Sequence, residues 1–368
     1  MSIIKFEDKM RVLHVITTLD TGGAERLIVD LVPLLKDKGN EVELLLFNGF
    51  MTPFRKELED RGITIHELCE DDQGGHVYDP IHIVRLRQYL KGYDIIHTHN
   101  TACQLYLPIA KALSRSSVKL VTTDHSTNSR RRTLWWFRPI EKWMYRQYDD
   151  IVCIGDVSRD NLEQYLSKGR HARVIYNGVN TKRFIRPIKD VSNQDSFVIT
   201  MVAGLRVEKD HDTLIRSLSH LPSNYRLRLV GGGQREQELK SLCQELSLSE
   251  RVDFMGARMD IPDILEQSDV IVLSSHWEGL SLSSIEGMAS GRPFVASDVE
   301  GLHEMVGGVG VLFPHGDDKA LAQKVQWLCE HPDEYREVAQ RCQEKACQYD
   351  ISVTASKYLE LYEELLRV

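Results

Sequence analysis

Short apolar runs alternate with longer amphipathic segments along the first half of the chain. RVLHVIT at 11–17 predicts a buried strand, AERLIVDLVPLLKDKG at 24–39 a helix stopped at Gly39, and EVELLLF at 41–47 a second strand. DIIHTHN (94–100), VKLVTTDH (118–125), DIVCIG (150–155) and RVIYNG (173–178) predict further strands, each ending in polar residues or glycine. These runs are too continuously apolar to face water, and helical patterns separate most of them, so they predict a parallel sheet covered on both faces. The pattern then restarts. FVITMVAGL (197–205), RLRLVGGG (226–233), VDFMG (252–256), DVIVLSS (269–275), PFVAS (293–297) and GVLF (310–313) predict a second sheet of the same kind. Between the series, RPIKDVSNQDS at 186–196 is polar, contains proline and lacks periodicity, which predicts a linker. ISVTASKYLELYEELLRV at 351–368 predicts a terminal amphipathic helix. The implied architecture is α/β, with two doubly wound Rossmann-like units whose ligands bind beyond the carboxyl ends of the strands.

Length agrees with this division, since 368 residues suit two domains better than one core. The composition, 42% hydrophobic and 27% charged, excludes wholesale disorder and a disulfide mini-scaffold. No apolar run reaches the ~18 residues that suggest a membrane-spanning helix. The opening MSIIKFEDKMRVLHVI is charged where a signal peptide would be apolar, so a cytoplasmic location is expected. Seven scattered cysteines without a C-x-x-C pair read as free thiols in a reducing compartment. The net charge of −8 is uneven: residues 1–185 hold 27 Lys and Arg against 24 Asp and Glu, whereas 186–368 hold 19 against 30. A near-neutral half and an acidic half suggest different partners.

Chemistry concentrates in HWEGLSLSSIEGMASGRP at 276–293, which follows an apolar strand and carries Glu278 and Glu286 with seven residues between them. A helix from about Leu282 to Ala289 would expose unpaired N–H groups at its start, a setting for phosphate. Both carboxylates could face one ligand and accept hydrogen bonds from sugar hydroxyls; the plain alternative is two surface glutamates on a helix. Gly22 and Gly23, between the first strand and its helix, either let backbone approach a phosphate or sugar or form a tight turn. His97, His99 and His125 end two strands, and alternation places His97 and His99 on one face.

The pattern E-G-x-x-x-x-x-x-E-x-M-A-x-G-x-P after a strand resembles the nucleotide-sugar site of retaining GT-B glycosyltransferases, specifically glycosyltransferase family 4. Other segments match in the same order along nearly the whole chain: TGGAERL (21–27), DIIHTHN, TTDHST (122–127), VSRDNL (157–162), IYNGVNTKRF (175–184), VAGLRVEKDHDTLI (202–215), LVGGGQRE (229–236), SDVEGLHEMV (297–306) and GVLFPHGD (310–317). The resemblance implies two domains facing across a cleft. Residues 1–187 with the helix at 351–368 would form the acceptor side, and 188–350 the donor side.

Residue roles follow from the same likeness. Glu286 resembles the glutamate on the nucleotide ribose, and Glu278 the one facing the donor sugar, with N–H groups of Gly279, Leu280 and Ser281 nearby. Lys209 resembles the lysine that neutralises the diphosphate. Arg206 joins it, although many members carry the arginine two positions earlier, where this chain has Gly204. His125 resembles the histidine pointing at the reacting sugar, Asn177 lies in a matching interdomain segment, and Gly22 and Gly23 match the amino-terminal Gly-Gly loop.

The implied reaction moves a sugar from a UDP- or GDP-sugar to a glycan or lipid-linked glycan acceptor with retention, as in bacterial cell-surface polysaccharide synthesis. No separate cofactor is expected. The chain lacks a D-x-D pair, and Lys209 and Arg206 supply positive charge, so no metal is expected. A nucleotide-sugar 2-epimerase of the same fold and a non-catalytic partner subunit are the competing readings. RRRTLWWFRPIEKWMYRQY at 130–148 interleaves basic and aromatic residues. It fits an anionic membrane or lipid-linked acceptor, or a helix whose aromatics fill the core; no nucleic-acid motif accompanies it.

Overall fold

The computed structural model describes residues 9–20, 22–49, 52, 54–69, 77–125, 132, 135–166 and 171–367. The chain divides into two compact units, one running to Gly178 and resuming at Ile351, the other Val179–Asp350.

The first unit contains strands β1 (Arg11–Ile16), β2 (Glu41–Asn48), β3 (Ile65–Cys69), β4 (Ile95–Thr98), β5 (Lys119–Asp124), β6 (Asp150–Cys153) and β7 (Arg173–Val174), in the sheet order β3-β2-β1-β4-β5-β6-β7. Every pairing is parallel. Helices α1 (Gly23–Asp37), α2 (Arg55–Asp60), α3 (Ile81–Leu86), α4 (Thr101–Ser114), α5 (Arg138–Arg146) and α6 (Asp156–Leu166) follow the strands. Alternation explains the continuous apolar runs. Val12, Ile16, Leu44, Leu46, Ile95 and Val121 pack beneath α1 on one face. Leu13, Val15, Leu45, Phe47, Ile96 and Leu120 pack beneath α4 and α5 on the other.

The second unit contains β8 (Phe197–Val202), β9 (Tyr225–Val230), β10 (Val252–Gly256), β11 (Val270–Leu273), β12 (Phe294–Ser297) and β13 (Val311–Phe313), in the order β10-β9-β8-β11-β12-β13, again all parallel. Its helices are α7 (His211–Leu218), α8 (Glu236–Glu245), α9 (Ile261–Glu266), α10 (Leu282–Ala289), α11 (Leu302–Val306), α12 (Asp318–Glu330) and α13 (Pro332–Cys347). The last helix, α14 (Ile351–Leu366), belongs to the first unit. It buries Ile351, Ala355, Tyr358, Leu361 and Tyr362 in the same cluster as α1. Ile351 and Leu361 each contribute about 1.5–3 kcal/mol when fully buried.

Three features differ from the sequence reading. Strand β3 occupies a segment where none was predicted, because His66 and Glu67 interrupt its apolar residues at the sheet edge. The strand expected at 173–178 shrinks to two residues. The polar stretch 186–196 is not a free linker, and the boundary between units falls at Gly178–Val179 rather than at 187. Ion pairs and hydrogen bonds tie this stretch into the second unit. Arg186 Nε meets Glu266 at 2.7 Å and Lys189 Nζ meets Asp269 at 2.6 Å, while Gln194 donates to Asp269 at 2.8 Å. Further upstream, the Thr181 hydroxyl donates to Asp350 at 2.6 Å, and Val179 bridges Asp350. The two crossings between units therefore lie side by side. At Gly178 a Cβ would meet the Ile351 Cα at 2.7 Å, so only glycine fits there.

Candidate functional site

Candidate residues gather in two places, one at the carboxyl end of each sheet. In the second unit, β8 and β11 are neighbours, so the loops that leave them meet. Hydrogen bonds to main-chain carbonyls stitch them together: His276 N–H donates to Glu208 O at 2.8 Å, and the Ser274 hydroxyl donates to Asp210 O at 2.8 Å. A third loop supports the first, with Leu205 N–H donating to Gly232 O at 3.0 Å.

On this framework Lys209 Nζ lies 2.5 Å from Glu278 Oε1, and the Ser275 hydroxyl donates to the same oxygen at 2.7 Å. The Glu278 side chain is only 9% exposed, which makes this a largely desolvated ion pair. Arg206 lacks so close a partner. Its side chain is 72% exposed, and its ion-pair contact with Glu208 is 3.9 Å long. Gly279 and Leu280 form the bend leading to α10. Ser281 caps that helix, accepting from Ser284 N–H at 3.3 Å. The helix spans the predicted Leu282–Ala289, with Glu286 partly buried on it. The remaining N–H groups of this helix start form an anion-accepting end.

Gly301, unremarked in the sequence reading, closes the site from behind. Its φ is 84°, and a Cβ there would meet Glu278 O at 2.4 Å and Gly279 O at 2.9 Å. A residue larger than glycine must displace the loop that holds Glu278. Asp210, His276 and His315 bring ligand-capable atoms within 4.8 Å of one another nearby. However, His276 Nδ1 already bonds His315 Nε2 at 2.7 Å, and both Asp210 oxygens cap α7 through the Thr213 N–H and hydroxyl.

In the first unit, β1, β4 and β5 bring four histidines to one sheet face. His14, which pairs with His97 in register, was also missed by sequence reading because it sits within an apolar strand. His14 Nδ1 and His99 Nε2 are 2.9 Å apart, and His99 Nδ1 and His125 Nε2 are 3.1 Å apart. His97 is held separately, by the Tyr362 hydroxyl at 2.6 Å and the Thr123 hydroxyl at 2.8 Å. Thr123 in turn meets the Tyr358 hydroxyl at 2.9 Å. Burial pushes His14 down to about 3 and His125 down to about 4, and it holds His97 and His99 well below the usual histidine range. All four rings are therefore neutral near pH 7. His14, His97 and His99 lie close enough for a metal ion. Both nitrogens of His97 and of His99 are already in hydrogen bonds, so the cluster reads as a polar network.

The glycine loop and Asn177 complete the first unit's candidates. Gly22 is the N-cap of α1 in extended conformation, φ −134°, and a Cβ there would meet only the Glu25 carboxylate. Gly23 begins the helix. Asn177 is buried, and its Oδ1 has no hydrogen-bond partner among the described residues.

The basic and aromatic stretch divides. Tyr145 and Tyr148 fill the core, whereas Trp135 (85% exposed), Trp136, Ile140 and Trp143 face outward beside Arg138 and Arg146. Arg132 pairs with Asp124 and is withdrawn from the surface; Arg130 and Arg131 lie outside the described residues. Among the described residues no helix is long and apolar enough to cross a membrane, and all seven cysteines are free.

Comparison with known proteins agrees with the arrangement. Residues 21–183 match the model of Glycosyltransferase Family 4, and residues 183–348 match that of Glycosyl transferases group 1. EpsD of Bacillus subtilis, a protein named as a glycosyltransferase, is 27% identical over 86% of this chain and 93% of its own. The Escherichia coli UDP-Gal:α-D-GlcNAc-diphosphoundecaprenol α-1,3-galactosyltransferase is 25% identical over 80% of each chain. The crystal structure of Anabaena HepE in complex with UDP-glucose superposes with a TM-score of 0.79 at 22% identity, covering 96% of this chain and all of that one. The ordered motifs, the paired Rossmann-like sheets and the two abutting matches lead to one conclusion: this chain is a family 4 glycosyltransferase of the GT-B fold.

Proposed function

We propose that the enzyme transfers a sugar from a UDP-sugar to a lipid-linked glycan, with retention of configuration and without a metal ion. The observation that carries this reading is the Lys209–Glu278 pair at the entrance to α10, where a cation, a carboxylate and a helix start converge. Lys209 and the exposed Arg206 would neutralise the diphosphate as the leaving group builds charge. Gly279, Leu280 and Ser281 would offer N–H groups, Glu286 would accept from ribose hydroxyls, and Glu278 from the sugar. From the first unit, His125, Asn177 and the Gly22–Gly23 loop would serve the sugar and phosphate side. That assigns the donor nucleotide to Val179–Asp350 and the acceptor to the other unit.

The chemistry needs one bond broken and one made. The anomeric C–O bond to the diphosphate breaks through an oxocarbenium-like state, and the acceptor oxygen attacks from the same face. The departing phosphate takes the acceptor proton. The protein supplies orientation and fixed charge. The acceptor class rests on the named activity of the Escherichia coli relative, and the UDP preference on that name together with the nucleotide in the Anabaena structure. The exposed Trp135, Trp136, Ile140 and Trp143 beside Arg138 and Arg146 suit the headgroup region of an anionic bilayer. This would place the enzyme peripherally at the cytoplasmic face.

A thermal-shift screen against nucleotide sugars tests the donor assignment, because a ligand stabilises the folded state in proportion to its affinity. Glu286→Ala and Lys209→Ala should each abolish the shift given by the best donor; full turnover by both variants would sink the site assignment. EDTA should leave turnover unchanged. Co-sedimentation with anionic liposomes should fall when Trp135 and Trp136 become alanine.

A further inference from the structure

The buried histidines of the first unit have a direction. His14, His99 and His125 are joined by two N···N contacts, and each such contact holds one proton between neutral rings. Only two arrangements satisfy both contacts with every ring neutral. In one, His14 Nδ1–H donates to His99 Nε2, His99 Nδ1–H donates to His125 Nε2, and His125 presents Nδ1–H. In the other every donor is reversed, so that His125 presents a bare Nδ1 and His14 carries a proton on Nε2.

The two ends of the chain decide between these. His14 Nε2 and His125 Nδ1 are both buried without a hydrogen-bond partner among the described residues. The His14 end is closed for good: the residue is fully buried, stacked on His99 with ring centroids 5.2 Å apart and flanked by His97 at 5.1 Å. A buried N–H left unpaired is rarer in proteins than an unfilled acceptor, so Nε2 of His14 should be the bare nitrogen. His125 ends β5 and is partly exposed as a residue, whereas His14 is not, so only the His125 end lies where a bound molecule could uncover and satisfy a nitrogen, its Nδ1 being itself covered without a ligand.

We propose that His14, His99 and His125 form one hydrogen-bonded relay that fixes His125 as an Nδ1–H donor, offered to an oxygen of the bound sugar or diphosphate. The ligand half of this statement rests on the reading of His125 as a substrate-facing residue; the relay itself does not. His99 and His14 are positioning residues. They hold His125 in the tautomer opposite to the one a free histidine side chain prefers. His125 thus acts as a neutral donor and not as a base, consistent with a mechanism in which the phosphate takes the acceptor proton.

The groups facing the relay are His97 on β4, Thr123 on β5, and Tyr358 and Tyr362 on α14; Asp124 lies on the other face of β5 with Tyr145 and acts on His125 only as a nearby charge. Asp124 is engaged by Arg132. The protonation pattern should therefore hold from about pH 6 to 8.

Imidazole 15N NMR of the unliganded wild-type protein tests the proposal, with resonances assigned from His14→Phe, His99→Phe and His125→Asn. Expected are protonated Nδ1 and unprotonated Nε2 at all three residues at pH 7. A proton on Nε2 of His125, or an imidazolium at any of the three, would overturn the relay. In His99→Phe, His125 should switch to Nε2–H; an unchanged Nδ1–H there would remove His99 from its role. If that variant does not fold, the wild-type spectrum still decides. Turnover of the best donor found in the screen tests the ligand half. His125→Asn keeps an N–H near Nδ1 and should exceed His125→Asp, which only accepts, by about tenfold. Equal loss in both variants, with the wild-type tautomers as expected, would refute the ligand contact and leave the relay standing.

Discussion

Removing Lys209 should damage the protein twice, and the two losses can be separated. Glu278 is 9% exposed, and its Oε1 receives both Lys209 Nζ at 2.5 Å and the Ser275 hydroxyl at 2.7 Å. Lys209→Met deletes the charge and leaves a mostly buried carboxylate with one neutral donor. Breaking a fully buried pair costs roughly 3–5 kcal/mol. Because Lys209 is itself 21% exposed, water can partly replace it, and about 2 kcal/mol is the better expectation. For a unit of this size that lowers the melting temperature by about 4–8 °C. Glu278→Gln keeps the Ser275 contact and leaves Lys209 reaching solvent, so it should cost about 1 kcal/mol. In the double variant no charge remains unpaired, and the stability lost by Lys209→Met should largely return. The cycle should give a coupling of about 2 kcal/mol by denaturant or thermal unfolding. Turnover behaves otherwise, since the double variant still lacks the cation for the diphosphate and should be as inactive as Lys209→Met. A coupling below about 0.3 kcal/mol would mean that the pair does not form in solution. Recovery of turnover in the double variant would mean that Lys209 serves only to neutralise Glu278.

Three further outcomes follow from the geometry. Gly301→Ala forces a Cβ against Glu278 O, 2.4 Å away, at φ 84°; it should cost about 1–3 kcal/mol and weaken the UDP-induced thermal shift more than the same change at the open surface position Gly308. Tyr362→Phe strips His97 Nδ1 of its partner at 2.6 Å, so urea titration should show a loss of about 1–3 kcal/mol, with unchanged stability as the refuting result. Acid should weaken the first unit early. The folded-state values of His14 and His125, about 3 and about 4, lie below those of the unfolded chain, so between pH 6.5 and 5 the unfolded state binds more protons and stability falls with pH by about 1.4 kcal/mol per unit for each histidine. A melting temperature flat across that window would contradict the neutral cluster.

Most of the fold was readable because parallel strands buried on both faces must be largely apolar, and most of these strands are. Readability failed where that condition lapsed. Strand β3 mixes His66 and Glu67 into its apolar residues at the sheet edge. The stretch 186–196 read as a linker because its anchors are charges, and a sequence does not show which charges meet; Lys189 finds Asp269 only in the folded chain. The site divides in the same way. The helix at Leu282–Ala289 and the strand-end histidines follow from local pattern. The Lys209–Glu278 pair spans 69 positions, and His14 lies 85 positions from its partner His99. Only the mixed polar residue in an apolar strand hinted at His14, and only a glycine within SDVEGLHEMV hinted at Gly301.

The side-by-side crossings at Gly178–Val179 and Asp350–Ile351 have a consequence for biosynthesis. The second unit is one uninterrupted stretch of chain and can complete its core as it leaves the ribosome. The first unit begins emerging earlier yet cannot finish, because Tyr358, Leu361 and Tyr362, which close one face of its sheet, are translated after the whole of the second unit. At roughly 5–20 residues per second, that sheet waits about ten to forty seconds with one apolar face covered by α1 but not yet by α14. The nascent first unit is thus the natural client for chaperone protection, and a released chain ending at Asp350 should combine a folded second unit with a protease-sensitive first one.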